Sequence, residues 1–171
     1  WKKAPLTFTS TPISKTIHLE WSDPAGMRYI AFDSKGGSAV AGLSGGSGAP
    51  LTWPADPERP GYTFGGWYTA EGKRYSSVSV MPTFPEGQTG VTLEAHWKPN
   101  LVNYTVEYYT EKLDGSYDME TETRQGNTDS TTNMTAQPKE GYTAKPIEQQ
   151  TVAADGSTVV KVYYELNTYQ V

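Results

Sequence analysis

The chain of 171 residues contains no cysteine. A disulfide scaffold, a thiolate-bound metal and a cysteine nucleophile are thereby excluded. No uninterrupted apolar run approaches the ~18 residues of a membrane-spanning helix, and none reads as the apolar stretch of a signal peptide. Histidine occurs only twice, and charged residues make up 19% of the chain. The densest basic clusters are the pairs Lys2-Lys3 and Lys73-Arg74. Phosphate recognition needs larger groups of Lys and Arg, so neither a nucleic-acid partner nor direct membrane insertion is expected. What the chain does have is aromatic surface: 5 Trp, 12 Tyr and 4 Phe. Disordered chains lack such large apolar groups, whose burial offsets chain entropy. A folded, mainly β protein with a polar exterior is the expectation.

The composition changes after Lys98. Residues 1–98 carry 9 Lys+Arg and 8 Asp+Glu, net +1, whereas residues 99–171 carry 5 and 11, net −6. Pro99-Asn100 reads as a turn-like joint with no long linker, so two modules should abut. Alternation, not helical period, recurs along the chain. Ile17, Leu19 and Trp21 form one alternating set, and Val91, Leu93, Ala95 and Trp97 another. Tyr29-Ile30-Ala31-Phe32 reads as a strand closed by a turn at Asp33-Ser34-Lys35-Gly36-Gly37. Tyr62-Thr63-Phe64 runs into Gly65-Gly66-Trp67-Tyr68, a strand kinked at its glycines. In the second half, Val102, Tyr104, Val106 and Tyr108 alternate with polar neighbours. A hairpin at Asp114-Gly115 should return the chain as a polar edge strand from Tyr117 to Arg124. Residues 157–164, with Val160 and Val162 on one face, read as the central strand of that half. Short helices are expected only at 39–43 and 147–150.

Superposing Trp21 on Trp97 aligns Thr-Ile-His-Leu-Glu-Trp with Thr-Leu-Glu-Ala-His-Trp, an internal repeat. Residues 1–21 then read as the back half of a preceding module, and residues 167–171 as the start of a following one. Together with a first residue that is not Met, this suggests a piece cut from a longer array.

Three ordered blocks carry a resemblance. They are Phe32-Asp33-Ser34-Lys35-Gly36-Gly37-Ser38, then Pro54-Ala55-Asp56-Pro57-Glu58-Arg59-Pro60-Gly61-Tyr62-Thr63-Phe64-Gly65-Gly66-Trp67-Tyr68-Thr69, and the segment from Thr92 to Trp97. Residues 22–98 resemble the Listeria–Bacteroides (internalin B-repeat-like) module, departing from it in the long Gly-rich stretch 42–48 and at Pro60. Residues 99–166 resemble mucin-binding-protein-like (MucBP-like) repeats, through Tyr104-Thr105-Val106-Glu107-Tyr108-Tyr109, Leu113-Asp114-Gly115-Ser116-Tyr117, Glu140-Gly141-Tyr142 and the run from Asp155 to Tyr164. The resemblance implies tandem, small, β-grasp-like modules with mixed sheets and little helix. It also implies a secreted or wall-anchored bacterial surface protein with neighbouring repeats of the same chain as partners.

Chemistry is sparse. A catalytic base needs a nucleophile and an orienting acid, and His18 and His96 sit on polar strand faces without them. Glu107, Glu111, Glu120 and Glu122 could supply a glycosidase-like carboxylate pair, but Glu120 and Glu122 repeat with period two on a wet face. Asp33, Asp114 and Asp155 lie in turns that explain them without calcium. No enzyme activity, cofactor or metal is expected. Phe32, Tyr62, Phe64, Trp67, Leu93, Trp97, Tyr104, Val106, Val160 and Val162 are the expected core. Trp53 and Tyr109, which strand alternation explains least, are the candidate ligand-facing residues. The expected function is a non-enzymatic spacer in a surface adhesin stalk, with Trp97 and Asn100 packing against the second module. The alternative is a module that binds a host glycan or a host surface protein.

Overall fold

The computed structural model describes residues 26–168. The expected half-module at 1–21, with Trp1, His18 and Trp21, and the end of the segment 167–171 lie outside the described residues.

Nine strands form two sheets. The first holds β1 (Met27–Asp33), β2 (Leu43–Gly46), β3 (Tyr62–Tyr68), β4 (Arg74–Tyr75) and β5 (Gly90–Pro99). The second holds β6 (Leu101–Glu111), β7 (Tyr117–Asn127), β8 (Tyr142–Ala144) and β9 (Val159–Leu166). The strand orders are β2-β1-β5-β3-β4 and β7-β6-β9-β8. In each sheet the first strand pairs antiparallel with the second and parallel with the last. The fold is thus mainly β with two mixed sheets, as the sequence led one to expect. No helix occurs among the described residues: 39–43 leads into β2, and 147–150 is irregular chain. Gln149 there spends its side chain bridging to the Met134 backbone, which it contacts through both amide atoms at 2.8 Å. The backbone of the next residue is committed as well: the Gln150 carbonyl accepts the Thr132 N–H at 2.8 Å and its N–H donates to the Thr132 hydroxyl at 2.9 Å, which takes both groups away from a helical ladder.

The two modules follow one chain path beyond the strand order. After β2, Gly48 N–H donates to the Met81 carbonyl and Met81 N–H to that of Ala49, both at 2.8 Å. After β7, Asp129 N–H donates to the Val152 carbonyl at 2.9 Å and Val152 N–H to that of Ser130 at 2.8 Å. Met81 and Val152 are each 1% exposed, so equivalent bonds hold equivalent core residues.

The first core gathers Ile30, Trp67, Met81, Leu93 and Ala95, flanked by Phe32, Trp53, Phe64, Tyr75 and Trp97. The second gathers Tyr104, Val106, Met134, Val152, Val160, Val162 and Tyr164. Period two explains both, because alternate residues of β5, β6 and β9 face inward. Burying one such aliphatic side chain stabilises by about 1.5–3 kcal/mol. Gly37 is required by close approach. A Cβ there would run into the Trp97 ring, whose Nε1–H donates to the Ser34 carbonyl at 2.8 Å. Trp97 therefore locks the β1 turn of its own module, and the expectation that it packs on the second is corrected. Tyr62, expected in the core, belongs to neither cluster. Its hydroxyl needs a polar partner and finds one across the joint.

Candidate functional site

The feature that joins the two halves is built around a single residue. β5 ends at Pro99 and β6 begins at Leu101, leaving Asn100 between them. Its N–H donates to the Gly61 carbonyl of the first module at 2.8 Å. Its carbonyl accepts the Thr128 N–H of the second module at 2.9 Å and the Thr128 hydroxyl at 3.2 Å. Its side-chain Oδ1 accepts the Thr63 hydroxyl at 2.6 Å. Both backbone groups and the side chain of the linking residue are thus committed, two to one module and one to the other.

Contacts between the modules surround it. The Tyr62 hydroxyl donates to Asp129 Oδ2 at 2.5 Å. The bond holds the Tyr62 phenol above its usual range, since ionising it would set a second negative charge against the carboxylate. The Arg59 guanidinium lies 3.8 Å over the Tyr62 ring and 4.0 Å from Asp129. Gly61, at φ +78°, presents no side chain, and a Cβ there would meet Ala154 Cβ at 2.5 Å and Thr128 Cγ2 at 2.6 Å. Thr128 is only 4% exposed, so its hydroxyl must be satisfied within the protein, and Asn100 satisfies it. The Pro99-Asn100 joint was visible in the sequence, whereas Thr128 and Asp129 were missed. The signal available was the tripeptide Gly-Tyr-Thr, which occurs at residues 61–63 and again at 141–143.

The two ligand-facing candidates lie in different modules and do not come together. Trp53 is half-buried, edge-on to Phe32 at 5.3 Å and stacked with Tyr75 at 6.2 Å. It lines an open hollow of about 470 Å³ with Asp56, Trp67, Arg74, Tyr75 and Ser76. The buried Trp67 Nε1 has no hydrogen-bond partner among the described residues. Tyr109 stacks on Tyr163 at 4.7 Å, and its hydroxyl donates to Glu107 at 2.7 Å.

Most of the carboxylates considered for chemistry are engaged in structure. Asp33, Asp114 and Asp155 each accept the backbone N–H two residues on, at 2.9–3.0 Å. These turn bonds hold the three carboxyls below their usual range; for Asp114 and Asp155 a serine hydroxyl is the larger cause. Glu122 is lowered chiefly by the Tyr108 hydroxyl, then by Arg124. His96 is exposed and stacks on Tyr68 at 3.9 Å. Among the described residues no group of three or more His, Asp or Glu could hold a metal ion.

The chain is 27% identical over 166 residues to a protein of Evansella cellulosilytica named "Putative Gly-rich membrane protein", covering 91% of this chain and 18% of the relative. It is 31% identical over 113 residues to a "Putative membrane protein" of the same organism, covering 66% of this chain and 16% of that one. The chain therefore spans less than a fifth of the length of either relative. Among solved structures it is matched to the type 2 repeat of the mucus binding protein MUB from Lactobacillus reuteri. That match has 10% identity and a TM-score of 0.25, over 83% of this chain and 100% of the other. Residues 29–93, from β1 through the tyrosine-glycine strand to the buried Leu93 of β5, match the family model of the Listeria-Bacteroides repeat domain.

Proposed function

We propose that the chain is a spacer: tandem β modules that hold a defined relative orientation in the stalk of a secreted or wall-anchored bacterial surface protein. The observation that carries this reading is the commitment of Asn100 to both modules at once. A flexible linker leaves its backbone polar groups to water. Here a one-residue link has its N–H bonded on one side and its carbonyl on the other. The names of the Evansella relatives, both membrane proteins, support a place at the cell envelope. Chemically, such a role asks only for mechanical continuity, and a cysteine-free β module supplies it without depending on the redox state outside the cell. Small-angle scattering tests the reading. A fixed two-module particle should fit the profile with a single conformation, and a profile that requires freely hinging halves would rule the spacer out.

A second reading, binding of a host glycan or surface protein, is favoured by the hollow beside Trp53. Trp53 and Tyr75 line it together with Arg74, Asp56 and Ser76, the aromatic and polar groups that sugars stack on and hydrogen-bond to. It predicts binding on a glycan array that Trp53→Ala abolishes and Tyr109→Ala leaves intact. No binding by the unaltered chain across the array would remove it.

A further inference from the structure

The second module ends on the same turn as the first. Tyr62 N–H donates to the Arg59 carbonyl at 3.0 Å, and Tyr142 N–H to the Lys139 carbonyl at 3.1 Å. Gly61 has φ +78° and Gly141 φ +79°. Asn100 N–H reaches the Gly61 carbonyl at 2.8 Å, and Asn167 N–H reaches that of Gly141 at 2.9 Å. The Thr63 hydroxyl donates to Asn100 Oδ1 and the Thr143 hydroxyl to Asn167 Oδ1, each at 2.6 Å. A cation covers the tyrosine ring in both cases, Arg59 at 3.8 Å and Lys139 at 5.2 Å.

The two ends differ in what covers them. At the first, Thr128 and Ala154 press on Gly61, Thr128 bonds the Asn100 carbonyl, and Asp129 takes the Tyr62 hydroxyl. At the second, a Cβ on Gly141 would meet no atom within 4 Å among the described residues. The sequence after Asn167 continues the likeness. Thr168, Tyr169, Gln170 and Val171 set apolar residues at the places of Val102 and Tyr104, the inward positions of β6. A turn that needs glycine, an amide that orders the exit and a tyrosine under a cation are reproduced together. Neither sheet's internal pairing demands all three.

We infer that the Lys139–Thr143 turn with Asn167 is a docking socket for a further β module of the second module's kind, entering directly after Asn167. The occupant is defined by what fills the first socket. It presents a threonine whose N–H and hydroxyl both reach the Asn167 carbonyl, then an aspartate for the Tyr142 hydroxyl and Lys139, and a small residue against Gly141. The inference rests on the spacer reading and extends it: one joint geometry is propagated from module to module, so the orientation set at Asn100 is repeated along the stalk.

The test lengthens the full chain with a copy of residues 101–168 placed after Asn167, which then stands where Asn100 stands. Because the chain has no cysteine, spin labels enter only where cysteines are introduced. Thr83→Cys with Thr121→Cys spans the first joint, and Thr121→Cys with its counterpart in the copy spans the second. Pulsed electron resonance should give a narrow distance distribution across both. Gly141→Val should abolish the narrow peak at the second joint alone. Tyr142→Phe, which deletes one hydroxyl and leaves the packing, should broaden it. A narrow first joint beside a broad second one overturns the inference. So does a second joint whose width neither substitution changes. A broad first joint instead overturns the spacer reading on which the inference rests.

Discussion

Gly61 and Gly141 offer a matched pair of perturbations, because they share a backbone conformation and differ in what lies over them. Alanine in the left-handed region costs about 1–2 kcal/mol relative to glycine. Gly61→Ala and Gly141→Ala should both show that cost in the stability of their own module. At Gly61 a second cost arises. The new Cβ would sit 2.5 Å from Ala154 Cβ and 2.6 Å from Thr128 Cγ2, roughly 1 Å inside the ~3.5–4.0 Å at which carbon atoms rest. Overpacking of this size costs about 1–3 kcal/mol. Both clashing residues belong to the other module, so the overlap is relieved by moving the modules apart. That strains the two Thr128 bonds to the Asn100 carbonyl, together worth roughly 1–3 kcal/mol net. All five tryptophans precede Asn100 and three of them, Trp53, Trp67 and Trp97, lie in the first module, so urea unfolding followed by tryptophan fluorescence reads the first module and not the second. The distance between labels at Thr83→Cys and Thr121→Cys reports the joint. Gly61→Ala should lower the first module's midpoint and also lengthen or broaden that distance. Gly141→Ala should leave both readings unchanged. If the two variants altered the label distance equally, or if neither did, steric coupling through Gly61 would be refuted.

Three further outcomes are expected. The Tyr62 phenol has its pKa raised in the folded protein by its bond to Asp129. Its contribution is therefore complete below the usual phenol pKa of about 10 and is lost as pH rises through the higher folded value. The label distance across the joint should broaden in that alkaline window, and Tyr62→Phe should abolish the step. Leu93→Ala, at a site with no exposure, should cost about 2–5 kcal/mol, read as a lowered fluorescence midpoint; a change below ~1 kcal/mol would contradict its place in the core. Gly37→Ala should displace the Trp97 ring and break its bond to Ser34, shifting tryptophan emission to the red, whereas unchanged emission would show that the β1 turn yields instead.

Much of the strand plan was legible because it is written in period two. Tyr104, Val106, Val160 and Val162 announce an inward face by alternation alone, and β7 announces an edge by its polar run from Glu120 to Asn127, with charges at Asp118, Glu120, Glu122 and Arg124 of the kind that keep edges from pairing further. Helices at 39–43 and 147–150 were misread because short local patterns carry no information about long-range partners. Gln149 bonds to Met134 across the module, and nothing in its neighbours says so. Trp97 shows the same limit. Its size marks it as structural, but only the fold shows that its indole N–H closes the turn at Ser34 and not the joint.

By itself, then, the sequence determined two β modules, the absence of thiol chemistry, the break at Pro99-Asn100 and the likeness of residues 29–93 to a repeat family. These depend on composition and on contacts between near neighbours along the chain. The tertiary structure alone decided that Asn100 is held from both sides and that Tyr62 leaves the core for Asp129. Each of those facts joins residues far apart in the chain, with Tyr62 and Asp129 67 positions apart, and such a meeting exists only once both sheets have formed.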